Sequence, residues 1–413
     1  MSTQDDFLVI SNLVSSETAI PALLSEEPAV ATCDRKVTKD FDKQKTYQTG
    51  QTINIRIEDE PALPVKSPVF ANDPIVQQEI PVTVYQWNTG FILSDVMNML
   101  YTGGKEQVKK TIVMPRVTSM ATQANIEIYN SMAMFPLVFG TPGQVPTNFL
   151  AWANGAAILD NQLTPKRKRY GVMNPTTMMQ LADNVKNMGE SKESAVAFLE
   201  GDVKEAAGQN FYSTTNFPNH TNGSQAANGL SGFKVAVNPA SGAITLSVSG
   251  GTTSNTITQG SVISFPGLKQ IQPQSKKVLA DDMTFVVTAD LTLSSGSGVL
   301  SVYPPIVGPE NPKLQSISAL PTTANYIKLF GTETATYEQG VIYYGPNMKF
   351  ASLKMEDLIM NLNTSYEEED IYVRCASVGD NTNSQNQCRL DILFGINYGR
   401  WQQGVRYFGR AIG

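Results

Sequence analysis

Histidine, cysteine and charge are all scarce in this chain of 413 residues. The one histidine, His220, lies in a stretch rich in Asn, Thr, Ser and Gly. Neither a Ser-His-Asp triad nor a histidine metal site finds its imidazoles here, and His220 is expected at the surface. Three cysteines, Cys33, Cys375 and Cys388, are too few and too scattered for a disulfide framework or a zinc site. A reducing compartment is expected, with a Cys375–Cys388 pair across a hairpin end as the alternative. Charged residues make up 16% of the chain and the net charge is −6, which argues against gripping nucleic acid by neutralising phosphates. No apolar run approaches the roughly 20 residues of a membrane span. The first residues carry Asp5-Asp6 and a short apolar run at 7–10, so no secretion leader is expected. The Asn-x-Ser/Thr matches at 219–221 and 222–224 are then expected to be chance. P-loop and dinucleotide fingerprints are missing, since Gly296 and Gly298 sit in a hairpin rather than at a strand-to-helix turn. Residues 367–370 (EEED) lack the oxygen-ligand spacing of a calcium loop and read as a solvated acidic turn. Neither a cofactor nor a metal is expected, and the chain does not read as an enzyme.

What is present organises around residues 260–307. Segments 261–265, 283–289 and 298–302 are rich in Val, Ser, Thr and Phe and are bounded by turn residues, which predicts strands. Pro304-Pro305 is expected to stop the last one, because proline cannot donate to a sheet ladder. With strands at 233–237 and 243–248, this forms a barrel-like β unit over 229–312. Polar residues at 208–228 and prolines at 304–312 read as its entry and exit linkers. A unit set off in this way reads as an insertion into a host domain.

The flanks are mixed. Residues 1–45 read as an arm without a core of its own, with Phe7, Ile10 and Leu13 on one helical face, or as a frayed terminus. Residues 46–86 read as a long β-hairpin loop: 52–57 (TINIRI) and 80–85 (IPVTVY) alternate with period 2 around a proline-rich stretch. Loops of that length are usually functional or intermolecular. A short helix is expected at 91–101, ended by Gly103-Gly104. A long helix is expected from near Lys105, kinked or restarted at Pro115 and ended by Pro136. Its apolar stripe is Val117, Met120, Ala121, Ala124, Ile128 and Met132. Further helices are expected at 149–159, 176–186 and 195–207. Strands are expected at 324–329, 340–344, 349–353, 371–376 and 389–398. The class is α+β. The sharpest charged motif is Lys166, Arg167, Lys168 and Arg169 (KRKR). It reads as an exposed turn before a strand, or as a contact to an acidic partner or a neighbouring subunit.

The order of these parts resembles a known family, the major capsid (coat) protein of short-tailed double-stranded DNA phages of the P-22 type, with the HK-97-like capsid fold and an inserted β-barrel. GSVISFPGLKQIQPQSKKVLADDMTFVV at 260–287 and LSVYPPIV at 300–307 look like the end of that family's inserted barrel. QANIEIYNSMAM at 123–134 is similar to its spine helix, and CRLDILFGIN at 388–397 to a strand near its C-terminus. The resemblance implies pentamers and hexamers building an icosahedral head around double-stranded DNA, bound without sequence specificity. It also implies a scaffolding protein, a portal at one vertex, a decoration protein as a further candidate, virion localisation and assembly in the host cytoplasm. It divides the chain into arm (1–45), hairpin loop (46–86), spine-helix and peripheral part (87–140), peripheral and axial part (141–228), barrel (229–312) and closing axial and peripheral part (313–413). Candidate contacts between subunits are Phe7, Ile10, Leu13, Arg56, Glu58, Lys66 and Glu79, with the 166–169 cluster as a basic contact. The stretch 237–242 (VNPASG) stands where the family carries a long loop toward a neighbouring capsomer, and it is short. A tail or decoration component is the alternative role, and a carboxylate-dependent hydrolase is a third.

Overall fold

The computed structural model describes residues 29–35, 49–57, 61, 63–64, 66, 75, 78–94, 111–112, 114–185, 203–225, 232–355, 362–368, 370–380, 382 and 385–412. The chain divides into two compact units. One gathers Met1–Ile57, Glu79–Ile128 and Gly345–Gly399; the other gathers Glu58–Gln78, Tyr129–Tyr344 and Arg400–Gly413. Residues 345–399 therefore group with the hairpin strands and the start of the long helix.

The first unit is built on an antiparallel sheet. Leu362–Glu368, Ile371–Asp380 and Gln385–Tyr398 follow one another in sequence and in space. Met348–Ser352 and Tyr85–Ser94 both pair with Gln385–Tyr398. The period-2 rule explains its inner face: Val373 lies opposite Ile392 and Cys375 opposite Leu390, and all four are buried. Phe350 and Trp87 both stack on Phe394, with ring centroids 5.3 and 6.1 Å away. The helix expected at 91–101 is not formed where it is described: residues up to Ser94 continue a ten-residue strand. Residues 95–101 lie outside the described residues.

Thr52–Ile57 pairs with Gln78–Thr83 as a two-stranded ribbon, starting two residues earlier than the expected second strand. Ile55, Val82 and Val84 bury its root against Ala351, Leu353 and Leu393. The approach is close. A Cβ on Gly395 would stand 2.5 Å from the Thr83 carbonyl oxygen, so only glycine lets the ribbon lie on this strand.

The long helix runs over Met114–Met132, and its expected apolar stripe is buried residue for residue. Pro115 lies in its first turn, which is the restart expected there, and a missing N–H in that turn removes no intrahelical bond. Asn125 is buried on the same helix; its Nδ2 donates to the Ala121 carbonyl (3.0 Å), and its Oδ1 accepts from the Val30 N–H (3.2 Å).

The second unit holds a mixed sheet. Its order is Leu137–Phe139, Gly404–Ile412, Thr336–Tyr344, Arg169–Met173, Gln209–Ser213 and Glu205–Ala206, and His220–Thr221 pairs alongside Thr336–Tyr344. Helices Phe149–Asn161 and Pro175–Val185 pack on it. Trp152 is fully buried, with Phe139, Phe211 and Tyr407 edge-on at 5.7, 5.1 and 5.2 Å. Residues 208–228 are thus not a simple linker, since they supply two strands of this sheet. The end of the helix expected at 195–207 is a short strand, Glu205–Ala206, and residues 195–202 lie outside the described residues.

The inserted β unit is a closed barrel. Strands Lys328–Leu329, Val262–Ile271, Val278–Val287, Gly298–Ile306, Ala243–Ser249 and Lys234–Val235 pair in that order. Its two ends meet where Lys234 bridges Tyr326 and the Ile327 N–H donates to the Phe233 carbonyl (3.0 Å). Strand Lys328–Leu329 lies past the expected exit at 312. Closure leaves no bare edge, and Phe265, Met283, Phe285, Leu300 and Val302 fill the interior. Pro304 and Pro305 do not end their strand. Between Thr245↔Ser301 and Ala243↔Ile306 the register shifts, and the two prolines sit in that irregular stretch, where ladder donors are not required.

Candidate functional site

Among the residues expected to touch other subunits, Arg56 and Glu79 face each other across the ribbon at 3.9 Å, with side chains 73% and 43% exposed. A pair this open holds the ribbon weakly and leaves both charges available to a partner. Lys66 is exposed, as are Leu63 and Ile75. Phe7, Ile10, Leu13 and Glu58 lie outside the described residues.

The 166–169 cluster divides. Lys166, Arg167 and Lys168 are exposed, whereas Arg169, expected with them, is buried. Its guanidinium donates to the Pro165 carbonyl (2.9 Å), to the Thr164 carbonyl, and to Asp160 Oδ1 (2.7 Å). Burial alone would raise the Asp160 pKa. Arg169, through its hydrogen bond and charge, and then Lys166 at 3.2 Å, outweigh burial and hold the carboxyl below its usual range. The loop departs from helix Phe149–Asn161 through Leu163 at φ +58° and ends on Lys168 at φ +61°. Left-handed backbone costs an L side chain about 1–2 kcal/mol per residue. The Arg169 hydrogen bonds, made with carbonyls inside the loop, keep it in that form.

His220 is not a surface residue. It is 6% exposed, in a strand paired with Thr336–Tyr344, edge-on to Phe408 and 3.3 Å from Ser261 Oγ. Burial, and then the charge of Arg406, push its pKa down to about 4 from 6.5. Arg406 is fully buried. It donates to the Ala133 carbonyl, to Gln339 Oε1 (3.0 Å) and to the Gly260 carbonyl (3.0 Å), and its guanidinium lies 5.2 Å from the Phe408 ring centroid. Gly260, at φ +86°, is the turn into the barrel strand Val262–Ile271, and a Cβ there would stand 3.2 Å from His220 Nδ1. The group therefore ties the entry of the barrel to the mixed sheet.

The sign of the resulting pH dependence follows from the lowered pKa. Protonation favours the unfolded chain, so the His220 contribution is complete above pH 6.5 and is lost as pH falls toward 4. The expected loss is about 3 kcal/mol over that window. His220→Gln should flatten the pH 4–6.5 part of the stability profile in urea titrations relative to the parent chain.

A second buried charge group lies in the first unit. Asp391 is 0% exposed and accepts from Arg374 Nη2 (2.7 Å), Arg389 Nε (2.6 Å) and Gln86 Nε2 (3.1 Å). Charges set among apolar residues, as in CRLDILF and GVRYFGRA, are the sequence signal for Asp391 and Arg406, and no motif covers either.

Cys33 and Cys375 are free and buried, and burial raises both pKa values to about 12, so the thiols stay protonated and unreactive. Cys388 is also free. The 367–370 motif straddles a hairpin turn, with Glu368 opposite Ile371 and Asp370 at φ +64°. Among the described residues no group of His, Cys, Asp and Glu could hold a metal ion, and no helix is long and apolar enough to cross a membrane.

The family model described as P22 coat protein (gene protein 5) matches residues 73–409. Solved structures are similar at low identity. One is from Mycobacterium phage Che8, at 10% identity, covering 91% of this chain and 89% of that one with a TM-score of 0.46. Another is the capsid structure of the Cyanophage P-SCSP1u, at 12% identity, covering 88% and 85% with a TM-score of 0.45. No curated protein sequence matches.

Proposed function

Because the chain belongs to the P22 coat protein family, we propose that it builds the icosahedral phage head as pentamers and hexamers around double-stranded DNA. It is a phage major capsid protein, a component of the virion shell assembled from its own copies. The family match over residues 73–409 carries this reading. The arm (1–45) and the hairpin loop (46–86) reach neighbouring subunits, with Arg56, Lys66 and Glu79 as the candidate contacts among the described residues. The α+β body, of HK-97-like type, forms the shell wall, and the barrel is an accessory module on it. A scaffolding protein guides assembly in the host cytoplasm, a portal occupies one vertex, and DNA is enclosed without sequence recognition. The role is structural, not enzymatic. Mild acidity suits a wall that must not trap its cargo, since net charge of the same sign as phosphate weakens nonspecific binding.

The test is size. Light scattering and negative-stain microscopy of the purified chain, alone and co-expressed with the scaffolding protein, should show capsomers or closed shells of uniform diameter. A chain that stays monomeric under both conditions would sink the reading.

A further inference from the structure

We infer that the loop carrying Lys166, Arg167 and Lys168 is a preformed docking site for an acidic surface of a second copy of this chain. The inference rests on the shell-forming reading and names one contact within it. Charge is the first ground. The chain carries 31 Lys and Arg against 37 Asp and Glu, and four of those cations are consecutive here. Asp160, in the last turn of the preceding helix, faces them, bonded to Arg169 and 3.2 Å from Lys166. The loop is therefore a concentrated positive feature on a protein that is acidic as a whole, and the surface of another copy supplies the complementary sign.

Shape is the second ground. The loop is held from within. The Leu163 N–H donates to the Asp160 carbonyl (3.0 Å), and the Thr164 N–H to the Leu159 carbonyl (3.0 Å). Gln162 Nε2 donates to Gln270 Oε1 (3.2 Å), and Arg169 bonds the Thr164 and Pro165 carbonyls from beneath. The loop is thus ordered before any partner arrives, which lowers the entropic cost of association. Its composition fits the role as well. Leu163 is 44% exposed close to the cations in sequence, an apolar residue beside charges of one sign.

The test compares the full chain with a variant carrying Lys166→Glu, Arg167→Glu and Lys168→Glu. Assembly is followed by sedimentation velocity at low and high salt, and binding to a short DNA duplex by fluorescence anisotropy. The expected result is a folded variant, judged by circular dichroism, whose threshold concentration for assembly rises at least tenfold. Assembly of the parent chain should weaken in the same direction with salt. Arg167→Lys should retain assembly, because the charge is kept. Normal assembly by the folded variant overturns the inference, and so does a variant that loses only DNA binding. If the triple variant does not fold, Arg167→Ala with Lys168→Ala replaces it, and the same thresholds apply. Failure of the parent chain to assemble at all would instead count against the shell-forming reading, so the two failures are distinguishable.

Discussion

Asp391→Ala is expected to lower the stability of the sheet unit by about 3–5 kcal/mol, the usual cost of removing one partner from a buried ion pair. The carboxylate is 0% exposed and takes hydrogen bonds from two guanidiniums and an amide. The two arginines are not equivalent. The Arg374 side chain is 7% exposed and the Arg389 side chain is 45% exposed. Without Asp391, Arg389 can turn into water at small cost, whereas Arg374 loses its carboxylate inside the protein. Most of the loss is therefore assigned to Arg374. Arg389→Ala should cost about 1 kcal/mol or less, in the range of exposed pairs. Asp391→Asn should fall between the two, since it keeps an acceptor but not the charge. Calorimetry on the three variants decides the order. A drop of roughly 10 °C in midpoint is expected for Asp391→Ala, and a drop no larger than that of Arg389→Ala would refute the assignment.

Residues whose partners are near in sequence were the legible ones. The stripe from Val117 to Met132 announced its helix because a 3.6-residue period needs only local information. The helices at 149–159 and 176–186 were legible for the same reason, and they end within two residues of the expected bounds. Barrel strands were legible because Val, Phe and Thr clusters between turn residues are also local. Residues 91–94, expected as helix, are strand for the opposite reason. Phe91, Ile92 and Leu93 form a short apolar run that suits helix and strand alike, and the register that decides between them comes from residues 385–394. His220 was misplaced by its neighbours. Asn, Thr and Gly around it suggested a linker, yet their side chains and turns fasten a short strand to the mixed sheet. Asn222 Nδ2, for example, donates to the Phe330 and Thr332 carbonyls at 3.1 and 2.9 Å. The basic cluster was half legible. Its three exposed cations were readable as such, but composition could not show that the fourth turns inward to hold the loop.

Arg406→Leu is expected to have the second large effect, and it carries a signature that a simple packing defect would not. The substitution removes the donor to the Ala133 carbonyl, Gln339 Oε1 and the Gly260 carbonyl. A buried acceptor left unmet costs about 1–3 kcal/mol. Relief from burying a cation offsets part of this, so the expected net loss is about 3 kcal/mol. Lysine should not rescue it, because one ammonium on a flexible stem cannot reproduce the planar fork that reaches three separate acceptors. The signature lies in the pH profile. Arg406 is the second cause, after burial, of the lowered His220 pKa. Removing its charge should let that pKa rise back toward 6.5, which narrows the window over which acid destabilises the protein. Arg406→Leu should thus be less stable at pH 7 yet lose less on acidification than the parent chain. His220→Gln added to Arg406→Leu should change the pH 4–6.5 slope less than His220→Gln does alone, a coupling that a double-mutant cycle measures directly. An unchanged acid profile in Arg406→Leu would mean that burial by Phe408 and its neighbours sets the His220 pKa unaided. The guanidinium would then act on the barrel entry through its hydrogen bonds to the backbone alone.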